Sequence, residues 1–267
     1  MMNRNERIAE RIGEKLGKNV MVVDVNKNNT VLQGFAISTT ENIRAVIYAN
    51  NMDRSDEEII DEVIHNYEES NTPEFDMDEL MNKDFIMEHV LPCVISFKGN
   101  EELLKDLVTL PYLDLAVVYR VFITDEMTYL MRSENLSLLG LTEQEFCFKA
   151  MGNLYNASTK IKSMSQILMC IENDDDPMFV MTTGTFGANS ILRKDLLKEF
   201  ALKKNRNIYI LPSSVHELIL VPDNIGHDVQ DLKNMVYEIN RTEVDLQDRL
   251  SDSVYYYDMK TDTVSVL

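Results

Sequence analysis

One short segment concentrates the side chains that nucleophilic catalysis uses: Ser213-Ser214-Val215-His216-Glu217. A histidine can take a serine proton and so activate the hydroxyl, while a carboxylate orients the ring. The run VHELILV at 215–221 is apolar and rich in β-branched residues, which predicts a strand. On a strand, Ser214 and His216 project to one side and Glu217 to the other. A triad would then need its carboxylate from a distant segment. Pro212 and the serines equally make a turn whose hydroxyls satisfy backbone amides, and Ser214-x-x-Glu217 matches a capping box. Two readings stay open. Either Ser213, Ser214, His216 and Glu217 form a hydrolase-like cluster, or they form a structural turn. In the second case His216 is partly buried and bonded to a serine hydroxyl or a backbone group.

Other chemistry is thinner. Thr182-Thr183-Gly184-Thr185-Phe186-Gly187 joins a predicted strand to a predicted helix, a place where free N–H groups can meet an anion. The phosphate-loop pattern G-x-x-x-x-G-K-[ST] and the dinucleotide pattern G-x-G-x-x-G are both absent, so an ordinary turn is expected. Cys93, Cys147 and Cys170 are widely spaced and include no C-x-x-C, which points to buried, unpaired thiols. His216-Glu217 lacks the second histidine of H-E-x-x-H. Asp174-Asp175-Asp176 and the trio Glu74, Asp76 and Asp78 lack the glycine-containing calcium loop. No metal and no cofactor is expected.

Charge is the strongest compositional signal. Forty-five acids against 26 bases give the 267-residue chain a net charge of −19. That argues against direct nucleic-acid binding and against an anionic membrane surface. No apolar run reaches the length of a membrane span, and MMNRNERIAERIGEKLG carries no signal-peptide core, so a cytoplasmic protein is expected. Residues 53–88 hold 14 acids against Arg54 and Lys83. Within them, Glu57, Glu58, Asp61, Glu62, Glu68 and Glu69 fall mostly off the apolar face of a predicted helix over 55–69. A solvated outer face accounts for this pattern; the sharper reading is a surface that docks a basic protein.

The elements that must carry these residues are legible from periodicity. Ile8, Ile12 and Leu16 mark a helix stopped at Gly17, followed by strands at 20–25, 30–38 and 43–49 with a turn at Lys27-Asn28-Asn29. Residues 70–92 read as linker-like. Beyond them come strands at 90–97 and 113–123, a hairpin around Thr124-Asp125-Glu126, and a helix at 142–155. A strand at 177–183, a helix at 188–203, strands at 208–212 and 215–221, a helix at 228–240 and a closing hairpin complete the chain. Strands often follow one another directly, so an α+β fold with mainly antiparallel sheet and flanking helices is expected. The domains are read as 1–90 and 91–267, or as one continuous domain. In the final hairpin, Tyr255-Tyr256-Tyr257 can place at most two rings on one side, which suits core or edge packing.

Several boxes carry a family resemblance: ILPSSVHELILVP at 210–222, LSDSVYYYD at 250–258, the strand Leu113–Tyr119, the segment Asn135 to Glu145, and the Asn-Asn turn at 28–29. With these the chain resembles the uncharacterised Firmicutes family catalogued as domain of unknown function 5688, over nearly its whole length. Where the family's strand often ends V-L-T-N before a Gly-Ala helix start, Thr182-Thr183 stands here before Gly187-Ala188. The resemblance implies no reaction; it suggests a Firmicutes setting and a link to mobile elements. The expectation is therefore a non-enzymatic acidic binding or accessory protein, with anti-defence or nucleic-acid mimicry as one specific version. The alternative is a hydrolase-like enzyme built on 213–217.

Overall fold

The computed structural model describes residues 2–39, 44–48, 54–69, 80–125, 127–171, 173–223 and 228–267, arranged as two compact units, Met1–Met81 and Asn82–Leu267. In the first unit, helix α1 (Arg4–Leu16) leads into strands β1 (Val20–Lys27), β2 (Thr30–Ser38) and β3 (Arg44–Ile47), then helix α2 (Asp56–Glu69). The helix ends obey local chemistry. Asn3 accepts the Glu6 N–H at 2.8 Å while the Glu6 carboxylate takes the Asn3 N–H at 2.6 Å, and Gly17 stops α1 in the left-handed region at φ 64°. The meander is antiparallel in the order β1-β2-β3, turning at Asn29 with φ 60°. Ile8 and Ile12 of α1, Ile59, Ile60 and Val63 of α2, and Phe35 and Ile37 of β2 form its core, with Ile64 and Tyr67 packed at the margin.

The second unit contains α3 (Lys83–His89), β4 (Val90–Ser96), α4 (Glu101–Leu104), β5 (Thr109–Tyr112), β6 (Leu115–Phe122), β7 (Thr128–Leu130), α5 (Ser133–Leu138) and α6 (Glu143–Asn156). It continues with β8 (Lys160–Ser163), α7 (Met164–Met169), β9 (Phe179–Thr182), a 3₁₀ turn at Gly187–Leu192, α8 (Lys194–Lys204), β10 (Ile208–Leu211) and β11 (Leu218–Pro222). Helix α9 (Val229–Thr242), a 3₁₀ turn at Leu246–Asp248, and the hairpin β12 (Tyr255–Asp258) and β13 (Thr263–Val266) close the chain. One sheet runs β4-β6-β5 with β7 also paired to β6; the other runs β13-β12-β10-β11-β9-β8. Every described pairing is antiparallel, so the fold is α+β with flanking helices. Tyr119 and Val121 of β6 share one core with Phe146 of α6, Leu197 of α8, Leu218 of β11, and Tyr255 and Tyr257 of β12. Tyr256 faces the other way, as strand alternation requires.

Several expectations are corrected. Residues 83–92 are helix and strand rather than linker: Asn82 caps α3 by accepting the Asp84 N–H at 2.8 Å. Residues 70–79, with Glu74, Asp76 and Asp78, lie outside the described residues, as do Glu126 and His227. The short strands β5 and β8 carry too few residues to show a period. The helix read at 188–203 breaks at Arg193, whose buried guanidinium turns inward to donate to the Leu154 carbonyl at 3.2 Å and to fork onto Asp195 at 2.9 and 2.8 Å. All three thiols are free, but only Cys93 is buried; Cys147 is half-buried, and Cys170 is exposed in left-handed backbone at the end of α7. Among the described residues no helix is long and apolar enough to cross a membrane.

Candidate functional site

The two motif segments singled out by their chemistry, 182–187 and 213–217, meet. β9 delivers Thr182, and the chain then turns through Gly184 at φ 110° and Phe186 at φ 58° into the 3₁₀ turn. Opposite, the strand expected from Val215 begins only at Leu218, because residues 213–217 are committed to turn bonds. Ser214 Oγ accepts the His216 N–H at 3.0 Å, and the Ser213 N–H returns to the Leu211 carbonyl at 3.0 Å. Between the segments, Thr182 Oγ1 donates to the His216 carbonyl at 2.7 Å and the Ala188 N–H to the Val215 carbonyl at 3.1 Å. This contact needs glycine at 187. A Cβ there would lie 2.1 Å from Thr182 Oγ1 and 2.6 Å from the His216 carbonyl.

The His216 ring is held on both sides. Its Nδ1 accepts the Phe186 N–H at 3.2 Å, an arrangement that selects the tautomer with its proton on Nε2. That Nε2 lies 3.5 Å from Asp248 Oδ1, and Asp248 is anchored in turn because its carbonyl accepts the Val215 N–H at 2.8 Å. The ring stands beside Phe186 with centroids 5.5 Å apart, and the Arg120 guanidinium lies over the Phe186 ring, 4.0 Å from its centroid. Arg120 donates to Thr128 Oγ1 at 3.0 Å, and burial pulls its pKa below the ordinary guanidinium range. With 43 % of its side chain exposed, His216 sits at the rim of the molecule and not inside the sheet.

The four expected site residues therefore separate. The Ser214 hydroxyl serves backbone, not the His216 ring, and the lone pair a general base would use at Nδ1 is occupied. Ser213 and Glu217 line a different feature, an apolar groove beside α9. Asp248 is the residue that sequence reasoning missed, since TEVDLQD carries no catalytic pattern. Arg120 was hidden as the polar member of an otherwise apolar strand, VVYRVF.

Three further clusters have structural partners. Asn189, fully buried, accepts Thr183 Oγ1 at 2.7 Å and donates to the Pro92 carbonyl at 2.9 Å, tying the turn to β4. Asp114, in the β5–β6 turn, accepts the hydroxyls of Ser251 and Ser253 at 2.8 Å each and of Tyr255 at 2.7 Å. In the acidic run, Asp174 meets Lys203 at 2.9 Å. Asp176 accepts the Ser165 hydroxyl and N–H, each at 2.7 Å, which hold its carboxyl below the usual range.

On α2, Glu57, Glu58, Asp61, Glu68 and Glu69 are exposed, whereas Glu62 is half-buried. Bases of the same unit meet several of them. Arg4 reaches Asp56 at 2.7 Å; Lys15 reaches Asp61 at 3.1 Å and Glu57 at 3.7 Å; Arg11 pairs with Glu57 and Arg54 with Glu62. Glu58 is used by Ser55 in a capping box: the Ser55 hydroxyl donates to it at 2.7 Å and the Ser55 N–H at 3.0 Å, and these two bonds lower its pKa. The belt is thinner than its sequence suggests, because α1 returns cations to it.

Fold and site together define an α+β protein with antiparallel sheets whose motif-bearing turns are knitted to one another by hydrogen bonds. The chain belongs to the family of unknown function DUF5688, whose model matches residues 3–259. No curated protein and no solved structure matches it.

Proposed function

We propose that the protein is a non-enzymatic binding or accessory protein whose partner is basic. The observation that carries this reading is the exposure of the α2 carboxylates: Glu57 and Asp61 keep 59 and 72 % of their side-chain surface in water even while paired. Exposed pairs of this kind contribute about 0–1 kcal/mol each, so a partner's lysines and arginines can replace Lys15 and Arg11 at little cost. The net charge of −19 adds long-range attraction to a basic surface and repulsion from bare phosphate. Free thiols, one of them exposed, fit a reducing cytoplasm. A Firmicutes host, a mobile-element context and mimicry of nucleic acid belong to this reading as its most specific form.

One observation favours the hydrolase alternative: a carboxylate from a distant segment, Asp248, does approach His216. That reading requires the ring to release the Phe186 N–H and turn Nδ1 toward Ser213 or Ser214. Two measurements separate the readings. Capture of a basic protein that weakens with rising salt and with the combined substitution E57K/E58K/D61K/E68K supports the first. Labelling of Ser213 or Ser214 by a fluorophosphonate, abolished by His216→Ala, would overturn it in favour of the second.

A further inference from the structure

The six-stranded sheet is covered unevenly. On one face, α9 packs Leu232 and Val236 onto Leu211, Val221 and Val254. Past the edge of α9 an open groove of about 290 Å³ remains, floored by Val180 and Ile219 and walled on its far side by Met164 and Ile167 of α7. Its lining is apolar apart from Ser213, Asn240 and Glu217. Asn240 is committed, donating to the Ser251 carbonyl and to Asp252, each at 2.9 Å. Glu217 is not. Half-buried in the groove wall, its carboxylate has no hydrogen-bond or ion-pair partner among the described residues.

Three properties restrict what fits. First, the mouth of the groove is apolar and open to solvent: its lining residues Ile167 on α7 and Ile239 on α9 are 45 and 40 % exposed, and Leu168 and Met169, which follow Ile167 in α7, are 70 and 67 % exposed. Such a mouth suits an elongated occupant more than a compact small molecule. Second, Met164, Met178 and Met235 line the groove. Methionine supplies a flexible, polarisable surface that repacks around a helical anchor. Third, an apolar wall that carries one unpaired carboxylate is complemented by a cation brought by the ligand. A second copy of a chain with net charge −19 is a poor source of that cation.

We infer that the groove between α7 and α9 receives an amphipathic, basic helix of a partner protein, its apolar face against Val180, Ile219 and Met235 and a lysine or arginine on Glu217. This rests on the basic-partner reading above and adds a second contact, in the second unit, with its own residues. Apolar anchors at helical spacing seated in a groove are an established mode of helix recognition.

The probe is a fluorescent synthetic helix of leucine and lysine, titrated against the full chain by anisotropy. Ile167→Glu and Ile239→Glu alter exposed positions, and circular dichroism checks that both variants remain folded. Each is expected to weaken binding about tenfold or more, as is Glu217→Gln. A leucine–glutamate helix should not bind. The combined E57K/E58K/D61K/E68K substitution should change the affinity for the probe by less than about threefold, because the groove alone holds a short helix. Absence of probe binding, or binding insensitive to Glu217, Ile167 and Ile239, overturns the inference. Loss on α2 reversal alone does so too, while leaving the basic-partner reading standing. Retention of a captured basic protein by the α2 variant, with probe binding still dependent on the groove, removes the α2 surface and keeps the groove. Self-association abolished by Ile239→Glu, or saturable binding of dodecylamine that excludes the probe, would assign the groove to another occupant and also overturn it.

Discussion

Along α2 the carboxylates of Glu57 and Asp61 meet the charged ends of Arg11 and Lys15, whereas at the β5–β6 turn Asp114 meets three hydroxyls. Both sets are exposed to solvent. They differ in what holds them. The α2 acids are paired through long, flexible side chains whose attraction salt screens and whose ordering costs entropy. Asp114 is gripped by short neutral donors, one of them on the fully buried Tyr255, so its geometry is fixed by the core. The motif turns at 182–187 and 213–217 resemble Asp114 in this respect, since their polar groups are bonded to one another. Residues whose bonds are fixed by the core or by facing turns hold the fold; residues with exchangeable bonds are the ones a partner can recruit.

Five variants sharpen or break that contrast in denaturant unfolding of the full chain. Gly187→Ala should have the largest effect, about 3 kcal/mol, because the new methyl collides with Thr182 and with the His216 carbonyl, which is backbone. Asp114→Ala should cost about 2 kcal/mol by leaving the Tyr255, Ser251 and Ser253 hydroxyls without their acceptor. His216→Ala should cost about 1 kcal/mol, since water can reach the Phe186 N–H at this half-exposed position, and His216→Asn should cost less by retaining an acceptor. Glu57→Gln together with Asp61→Asn should change stability by about 0.5 kcal/mol or less. A loss of 2 kcal/mol or so from the α2 pair would erase the distinction between the two regions.

Legibility in the sequence followed the same division. The helix over 55–69 and its exposed acids were visible because a helical period shows which positions face water, and Glu57, Glu58, Asp61 and Glu68 are indeed exposed. The cations that thin this belt were not, since Arg11 and Lys15 reach Glu57 and Asp61 across 46 positions of chain. In the second unit, alternation placed Tyr255 and Tyr257 on one side correctly. It failed at Val215–Glu217, where apolar composition suggested strand but Ser214 bonds its own backbone two residues on and delays the strand to Leu218. The expected partner of His216 was a serine hydroxyl or a backbone group of the adjacent turn; it is a backbone group, but the Phe186 N–H, 30 positions away, with Asp248 near the opposite nitrogen. Long-range polar contacts leave no periodic trace, and the groove containing Glu217 exists only because three separated elements frame it.

The most direct test is a side-by-side capture of partner proteins with wild type, the α2 variant E57K/E58K/D61K/E68K, and His216→Ala, each shown to be folded. The account predicts that a basic protein is retained by wild type and by His216→Ala, and is lost from the α2 variant and from wild type at high salt. Retention by the α2 variant with loss from His216→Ala would contradict it, and would make the His216 turn, not the acidic helix, the working surface of the molecule.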